Sequence, residues 1–332
     1  MWKWLLLCLV TLIGCLPHGG VRVEPIAIAA RKPGVVSTYL SVTEGGKPVT
    51  GLTAESFVLH EDEAPLSPAQ TRQVLLDPSR IAADHVLLLA DYSLATDKEV
   101  RAELASAIGI FVEKVRPRQR VTVYAFDGSK DISLVADFAR AESTTHEELA
   151  VLRRMKPTDT SRNLYGAVRL ALEALDELLK EHDALVRRGT LVVFSGGSDL
   201  AGFSDAAAVR RAIEKHGHTV LAIGIGPDAE DIADIGVNGY VNAHSAETLS
   251  LAFEDAAHGV IAAQAARYLL AYCTPARAGR RTLRIEVVLP PEEEGAGERR
   301  GEAVVEFDAR NFGADCDPKQ AVRYRTTDLV RK

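Results

Sequence analysis

From Val21 to about Leu76 the chain alternates apolar and polar positions in short runs: VRVEPIAIAA, VVSTYLSV, SFVLHEDE and RQVLL. VVSTYLSV is rich in β-branched and aromatic residues, and a two-residue period places every second side chain on one face of a strand. EGGKPV, with Gly-Gly followed by Pro, is a turn signal. No helix-length apolar stripe interrupts these pieces. Residues 21–80 are therefore predicted to form the N-terminal segment of a small β-sandwich.

The period changes at Asp84. Apolar runs at His85–Tyr92, Arg120–Phe126, Ser133–Phe138, Thr190–Ser195, Thr219–Ile225 and Gly239–Asn242 read as strands. Between and after them, Asp97–Val115, His146–Lys156, Leu164–Ala184, Asp205–His216 and Ala246–Leu270 read as helices. LYGAVRLALEALDELLKEHDAL shows a 3.6-residue apolar stripe with charges opposite, and Leu104, Ile108, Phe111 and Val112 fall on one side of the first helix. Strands alternating with helices predict an α/β domain with a mostly parallel central sheet covered on both faces. Beyond Tyr268 the strand pattern returns in YLLAYCTP, RRTLRIEVVLP and GEAVVEFDARNF. The last two are joined by PEEEGAGERRG, which reads as a solvated hairpin loop.

The first residues differ from everything after them. MWKWLLLCLVTLIG carries one positive charge, Lys3, and then an apolar run from Trp4 to Ile13 that is too short to span a bilayer. Residues 1–14 are expected to be a signal peptide, and residues 15–20 a tether. The run ends in Leu12-Ile13-Gly14-Cys15, which resembles the bacterial lipobox, in which the Cys is lipidated and becomes the new N-terminus. That resemblance implies lipidation, as with palmitate, at Cys15 and a membrane anchor; the alternative is an ordinary cleaved signal with an incidental cysteine. Leu16 is not Asp, so the implied place is the cell envelope at the outer membrane.

Charge narrows the partners. Across 332 residues the formal net charge is −7, and loss of Lys3 with the signal makes it −8. No basic footprint for nucleic acid is present. Once the signal is removed, the cysteines left beyond Cys15 are Cys273 and Cys316. An exported chain meets an oxidising compartment, where such a pair usually forms a disulfide; the alternative is two buried free thiols.

In open α/β sheets, ligands sit at the carboxyl ends of the strands, near the point where the strand order reverses. Asp91 and Ser93 occupy that position on the first strand of the domain, and Ser195–Asp199 on the fourth. Here the chain resembles the von Willebrand factor A (vWA) domain over roughly residues 84–265. The first strand of that family ends in Asp-x-Ser-x-Ser, and this chain has Asp91-Tyr92-Ser93-Leu94-Ala95. The stretch matching the family Thr is Asp159-Thr160-Ser161-Arg162-Asn163-Leu164, and Thr-Asp-Gly-x-Asp is matched by Ser195-Gly196-Gly197-Ser198-Asp199. The resemblance implies a Rossmann-like vWA fold and, at its metal-ion-dependent adhesion site, a cation held by Asp, two Ser, Thr and a second Asp.

Against that ligand set the site is degenerate. Asp91 and Ser93 remain, while Ala95, Arg162 and Gly196 stand where Ser, Thr and Asp belong. A hard dication such as Mg²⁺ wants about six oxygen ligands, so no metal cofactor is expected. Arg162, pointing inward, would pair with Asp91 and take the place of the ion. The alternative is a weak Mg²⁺ site at Asp91, Ser93 and Thr160, which requires two residues to bulge out.

Other signals carry less. Gly224-Ile225-Gly226 lacks the third glycine of a dinucleotide fingerprint. His216-Gly217-His218 is read as an exposed turn in preference to half of a metal site, and His60-Glu61-Asp62-Glu63 as an acidic strand end. Ser195 is not in a Gly-x-Ser-x-Gly elbow.

GKPVTGLTAESFVLHEDE and the segment after Tyr268 also resemble the flanks of secreted bacterial vWA-related proteins. By that resemblance, residues 21–80 and 266–332 form one Ig-like β-sandwich into which the α/β domain is inserted. The function expected is a noncatalytic, membrane-tethered protein-interaction module with a protein partner. The alternatives are a Mg²⁺-dependent binder or adhesin and, below it, an enzyme of unrecognised type.

Overall fold

The computed structural model describes residues 20–138, 149–155, 157, 159–226, 230–291, 297–320 and 323–330. The N-terminal elements are β1 (Val21–Arg31), β2 (Val35–Glu44), β3 (Lys47–Pro48), β4 (Phe57–Glu61), β5 (Ala64–Pro65), α1 (Pro68–Thr71) and β6 (Val74–Leu76). The α/β region follows with β7 (Ala82–Asp91), α2 (Lys98–Val115), β8 (Arg120–Phe126), β9 (Ser133–Phe138) and α3 (Ala150–Arg154). It continues through α4 (Leu164–Lys180), β10 (Val186–Ser195), α5 (Ala206–His216), β11 (Thr219–Ile225), α6 (Glu230–Ala233), β12 (Tyr240–Ala243) and α7 (Leu249–Ala265). The chain then returns to strands β13 (Arg267–Cys273), β14 (Arg280–Leu289) and β15 (Arg299–Asp308).

The central α/β sheet has the order β12-β11-β10-β7-β8-β9. Its pairings are parallel from β12 through β8, and β9 is antiparallel to β8. From β7 the chain passes to β8 on one side and later to β10 on the other. The strand order therefore reverses between β7 and β10, which opens a crevice at their carboxyl ends. Val86 to Ala90 are all fully buried, as expected of a strand covered on both faces.

Alternate side chains of β7 feed two cores. Val86, Leu88 and Ala90 pack with Leu104, Ile108, Phe111 and Val112 of α2 and with Phe253 of α7. Leu87 and Leu89 pack on the other face with Ala167, Val168, Ala171, Leu172 and Leu175 of α4. The α4 residues recur at intervals of three and four, which makes the predicted stripe its packing face. Asn163 caps this helix, its Oδ1 accepting the Gly166 N–H at 3.1 Å.

The flanking strands form two antiparallel sheets, β1-β2-β13-β6 and β15-β14-β4-β5. Val36, Leu40, Tyr268, Leu270 and Tyr272 from the first share one core with Phe57, Leu59, Leu283, Ile285 and Val305 from the second. Gly45 and Gly46, at φ 54° and 80°, make the tight turn between β2 and β3; both positions lie in the left-handed region that glycine occupies at no steric cost. Cys273 at the end of β13 is bonded to Cys316, with Cα atoms 5.8 Å apart.

Several boundaries differ from expectation. The helix predicted over Ala246–Leu270 is a 3₁₀ turn at Ala246–Thr248 followed by α7, and it ends at Ala265. Residues 267–273 instead pair with β2 and β6, because Tyr268, Leu270 and Tyr272 fill the flanking core at strand spacing. Helix α4 stops at Lys180 rather than Ala184, and β10 begins at Val186 rather than Thr190, where pairing with Ala82 extends it. Of the helix predicted at His146–Lys156, the described part is Ala150–Arg154. Cys15 and the rest of residues 1–19 lie outside the described residues, as do residues 292–296 of the β14–β15 loop.

Candidate functional site

Asp91 ends β7 at the crevice and is fully buried. Its Oδ1 accepts the Ser93 N–H at 3.0 Å and the Ser93 hydroxyl at 2.7 Å. Its Oδ2 accepts the Thr96 hydroxyl at 2.8 Å, the Ser195 hydroxyl at 3.1 Å and the Gly196 N–H at 3.1 Å. The last donor is Arg162 Nε, at 2.5 Å from the same oxygen. A buried carboxylate is costly unless its charge is paired and its lone pairs are filled, and here both conditions hold.

Arg162 comes from the loop before α4, and its side chain is 4% exposed. The loop is fixed by backbone bonds: Leu200 and Ala201 donate to the Arg162 carbonyl at 2.8 and 3.0 Å, and Asn163 donates to Asp127 at 2.9 Å. The guanidinium is held beyond Asp91 by the Ser198 carbonyl at 3.1 Å, and it donates to the Thr96 hydroxyl at 3.4 Å. Thus one cation, carried by the loop before α4, bonds groups from the loops after β7 and β10.

Glycine clears the space for it. A Cβ at Gly196 would lie 2.7 Å from Thr96 Oγ1 and 3.3 Å from Arg162 Nη2, and one at Gly197 would lie 2.7 Å from Arg162 Nη1. The absence of a side chain at 196 and the inward arginine at 162 are therefore one coupled arrangement. An aspartate at 196 would meet the guanidinium and Thr96 before it met anything else.

The structure brings Asp91, Ser93, Arg162 and Gly196 together. Thr160 is exposed and is not among the donors to Asp91. Asp199 accepts the Tyr165 N–H at 3.0 Å and the Gly202 N–H at 2.8 Å, which ties the β10 loop to the start of α4. Asp159 accepts the Ser161 N–H and hydroxyl, each at 2.8 Å, and these bonds hold its carboxyl below its ordinary pKa.

Sequence reasoning missed Thr96, which bridges Asp91 and Arg162. Its signal was a hydroxyl residue five positions after Asp91 in the same loop. The exposed turn expected at His216-Gly217-His218 is corrected: Gly217 is exposed, but the two imidazoles are only 10% and 8% exposed and converge on Asp176. Gly217, at φ 66°, turns the chain so that both rings face the same way.

Around Arg162 the upper face carries apolar side chains in solvent. Leu94 is 42% exposed, Leu200 59% and Phe203 51%; Lys130 Nζ lies 5.1 Å from the Phe203 ring centroid. The cleft between Tyr92, Asp127, Ser129 and Asp131 encloses about 70 Å³, against the roughly 300–1,000 Å³ of small-molecule sites.

No family model matches the sequence, and no curated protein matches it. Solved structures are similar in fold. A von Willebrand factor type A structure from Catenulispora acidiphila is 11% identical over 93% of this chain and 77% of its own, with a TM-score of 0.45. Proximal thread matrix protein 1 from the mussel byssus is 17% identical over 52% of this chain, with a TM-score of 0.41; the match spans 46% of that protein. BatB from Bacteroides thetaiotaomicron is 14% identical over 55% of this chain and 99% of its own, with a TM-score of 0.42. All three TM-scores lie below 0.5.

Proposed function

We propose that this chain is a noncatalytic vWA-type interaction module that binds a protein partner through the upper face around Arg162. In this reading it is held in the cell envelope, at the outer membrane, by a lipid on Cys15, and its flanking sheets are an Ig-like sandwich carrying a mostly parallel α/β sheet. The observation that carries the proposal is the Arg162–Asp91 pair. It supplies a fixed positive charge and a full donor set at the position where the vWA resemblance puts a cation. The loops therefore keep the shape of a binding face without needing an ion to hold them.

The exposed Leu94, Leu200 and Phe203 support a protein partner, since apolar side chains gathered on loops above a rigid scaffold mark contact surfaces. The small neighbouring cleft favours a face-to-face contact over an enclosed substrate.

The test is capture of membrane proteins by full-length wild type and by a Leu200→Asp/Phe203→Asp variant, with and without added Mg²⁺, alongside fractionation of Cys15→Ser. Capture should be independent of Mg²⁺ and lost in the double variant, and Cys15→Ser should leave the membrane fraction. A requirement for Mg²⁺ would favour the metal-dependent reading, and unchanged capture by the double variant would remove the upper face. Retention of Cys15→Ser in the membrane would remove the lipid anchor.

A further inference from the structure

We infer that Asp176, His216 and His218 form a second, unrelated site, which takes a first-row transition-metal dication of the Zn²⁺ type. Asp176 lies near the end of α4, His216 is the last residue of α5, and His218 directly precedes β11. This is the amino-end edge of the parallel sheet, opposite the crevice that holds Asp91.

His216 Nδ1 lies 2.6 Å from Asp176 Oδ2, and His218 Nε2 lies 2.8 Å from Asp176 Oδ1. One ligand atom from each of the three residues falls within 4.8 Å of the others. Ligands about 2.0–2.2 Å from a tetrahedral Zn²⁺ are separated by roughly 3.3–3.6 Å. Binding would require the two imidazole–carboxylate distances to open from 2.6 and 2.8 Å to that spacing.

Three features make this more than two histidines hydrogen-bonded to an acid. The rings are offered through different nitrogens, Nδ1 from His216 and Nε2 from His218, which donate to the two oxygens of Asp176 and would present lone pairs to an ion once those protons are lost. Backbone geometry prepares the convergence: Gly217 takes a left-handed conformation between them, and Gly189 on β10 lacks the Cβ that would stand 2.8 Å from His218 Nδ1. Finally, exposure is divided. The imidazoles are nearly buried, while Asp176 is 41% exposed, which leaves water able to complete the coordination shell from one side.

The donor set selects the ion. Two imidazoles and one carboxylate suit Zn²⁺ and its neighbours, whereas Mg²⁺ requires oxygen ligands. A bound ion would join α4, α5 and β11, three elements otherwise linked on this face by apolar contact, and would stabilise the folded state by mass action.

The experiment uses full-length protein without a histidine tag, titrated with Zn²⁺ against a chromophoric chelator, and with Co²⁺ for its visible absorption. One equivalent of Zn²⁺ per chain is expected, with the intense d–d bands of tetrahedral Co²⁺. The His216→Ala/His218→Ala variant should lose more than the about 10–100-fold that removal of an outer-shell partner costs. Equal affinity in wild type and double variant would overturn the inference. Should the variant fail to fold, the wild type alone decides: no stoichiometric Zn²⁺ binding, or a weak octahedral Co²⁺ spectrum, would overturn it. Mg²⁺ should leave this readout unchanged, so its outcome is separate from that of the upper face.

Discussion

Arg162 ties together Asp91, Thr96 and Ser198 from two neighbouring loops, and its removal should be felt accordingly. Arg162→Ala leaves Asp91 buried with its remaining donors and no counter-charge. Breaking a buried pair in this way costs about 3–5 kcal/mol, so urea unfolding should show a loss of that order. Arg162→Lys should recover part of it, since a lysine restores the charge but cannot bond Asp91, Ser198 and Thr96 together. A wild-type midpoint in Arg162→Ala would mean that the pair contributes nothing. How legible was this site? Asp91 and Ser93 could be placed because strand ends in a parallel sheet meet at one edge, whereas Arg162 and Gly196 could be placed only by the resemblance to the vWA motif. Thr96 could not, because its role depends on how the β7 loop folds back, and no period in the sequence encodes that path. His216 and His218 were misjudged for a related reason: burial by α4 is a tertiary fact that a three-residue motif does not carry.

At the scale of elements, apolar period identified the long strands and helices but not the two- to four-residue elements β3, β5, α1 and α6, and the remaining errors gathered where one element runs into the next. Ala246–Leu270 reads as one helix because Ala-rich sequence favours helix locally. Pairing of Leu269–Ala271 with Val74–Leu76 overrides that preference. Strand β13 is central to its sheet, and Cys273 at its end is joined to Cys316 across a sequence separation of 43. Closing a loop of that length restricts the unfolded chain by about 4 kcal/mol in the chain-entropy model. A Cys273→Ser/Cys316→Ser variant should unfold at lower denaturant by a comparable amount, with the largest gain in hydrogen exchange in β13 and β2. Unchanged stability would show that the bridge closes a loop already held by packing.

For the whole molecule, acid should be a specific stress. His85 on β7 is fully buried and hydrogen-bonded to His182 at 3.1 Å and Thr122 at 2.8 Å, and Thr122 in turn donates to Asp137. Burial first, then the charges of His182 and Arg120, depress its pKa from 6.5 to about 4, with Asp137 opposing. The unfolded chain therefore takes up this proton at higher pH than the folded one. Stability from this group is complete above about pH 6.5 and declines as the pH falls toward 4, by at most about 3 kcal/mol. Urea midpoints at pH 7 and pH 5 should differ in that direction, and His85→Gln should shrink the difference. A difference left intact by His85→Gln would assign it to other groups.

The seam between the two parts of the molecule has a further consequence. The chain leaves the flanking sheets at Ile81 and re-enters them at Arg267, and the two crossings touch: Arg267 Nη1 bonds Asp84 Oδ1, and Val186 N–H bonds the Ile81 carbonyl at 3.0 Å. None of the side chains that fill the core of the flanking sheets comes from residues 82–266. A small apolar cluster closes the same seam, with Ala82 and Val186 of the α/β portion packed on Ala27, Tyr39 and Leu269 of the flanking sheets. The Arg162 end of the sheet lies at the other end of β7 from this seam, so substitutions in the loops around Asp91 leave both the flanking core and the disulfide untouched.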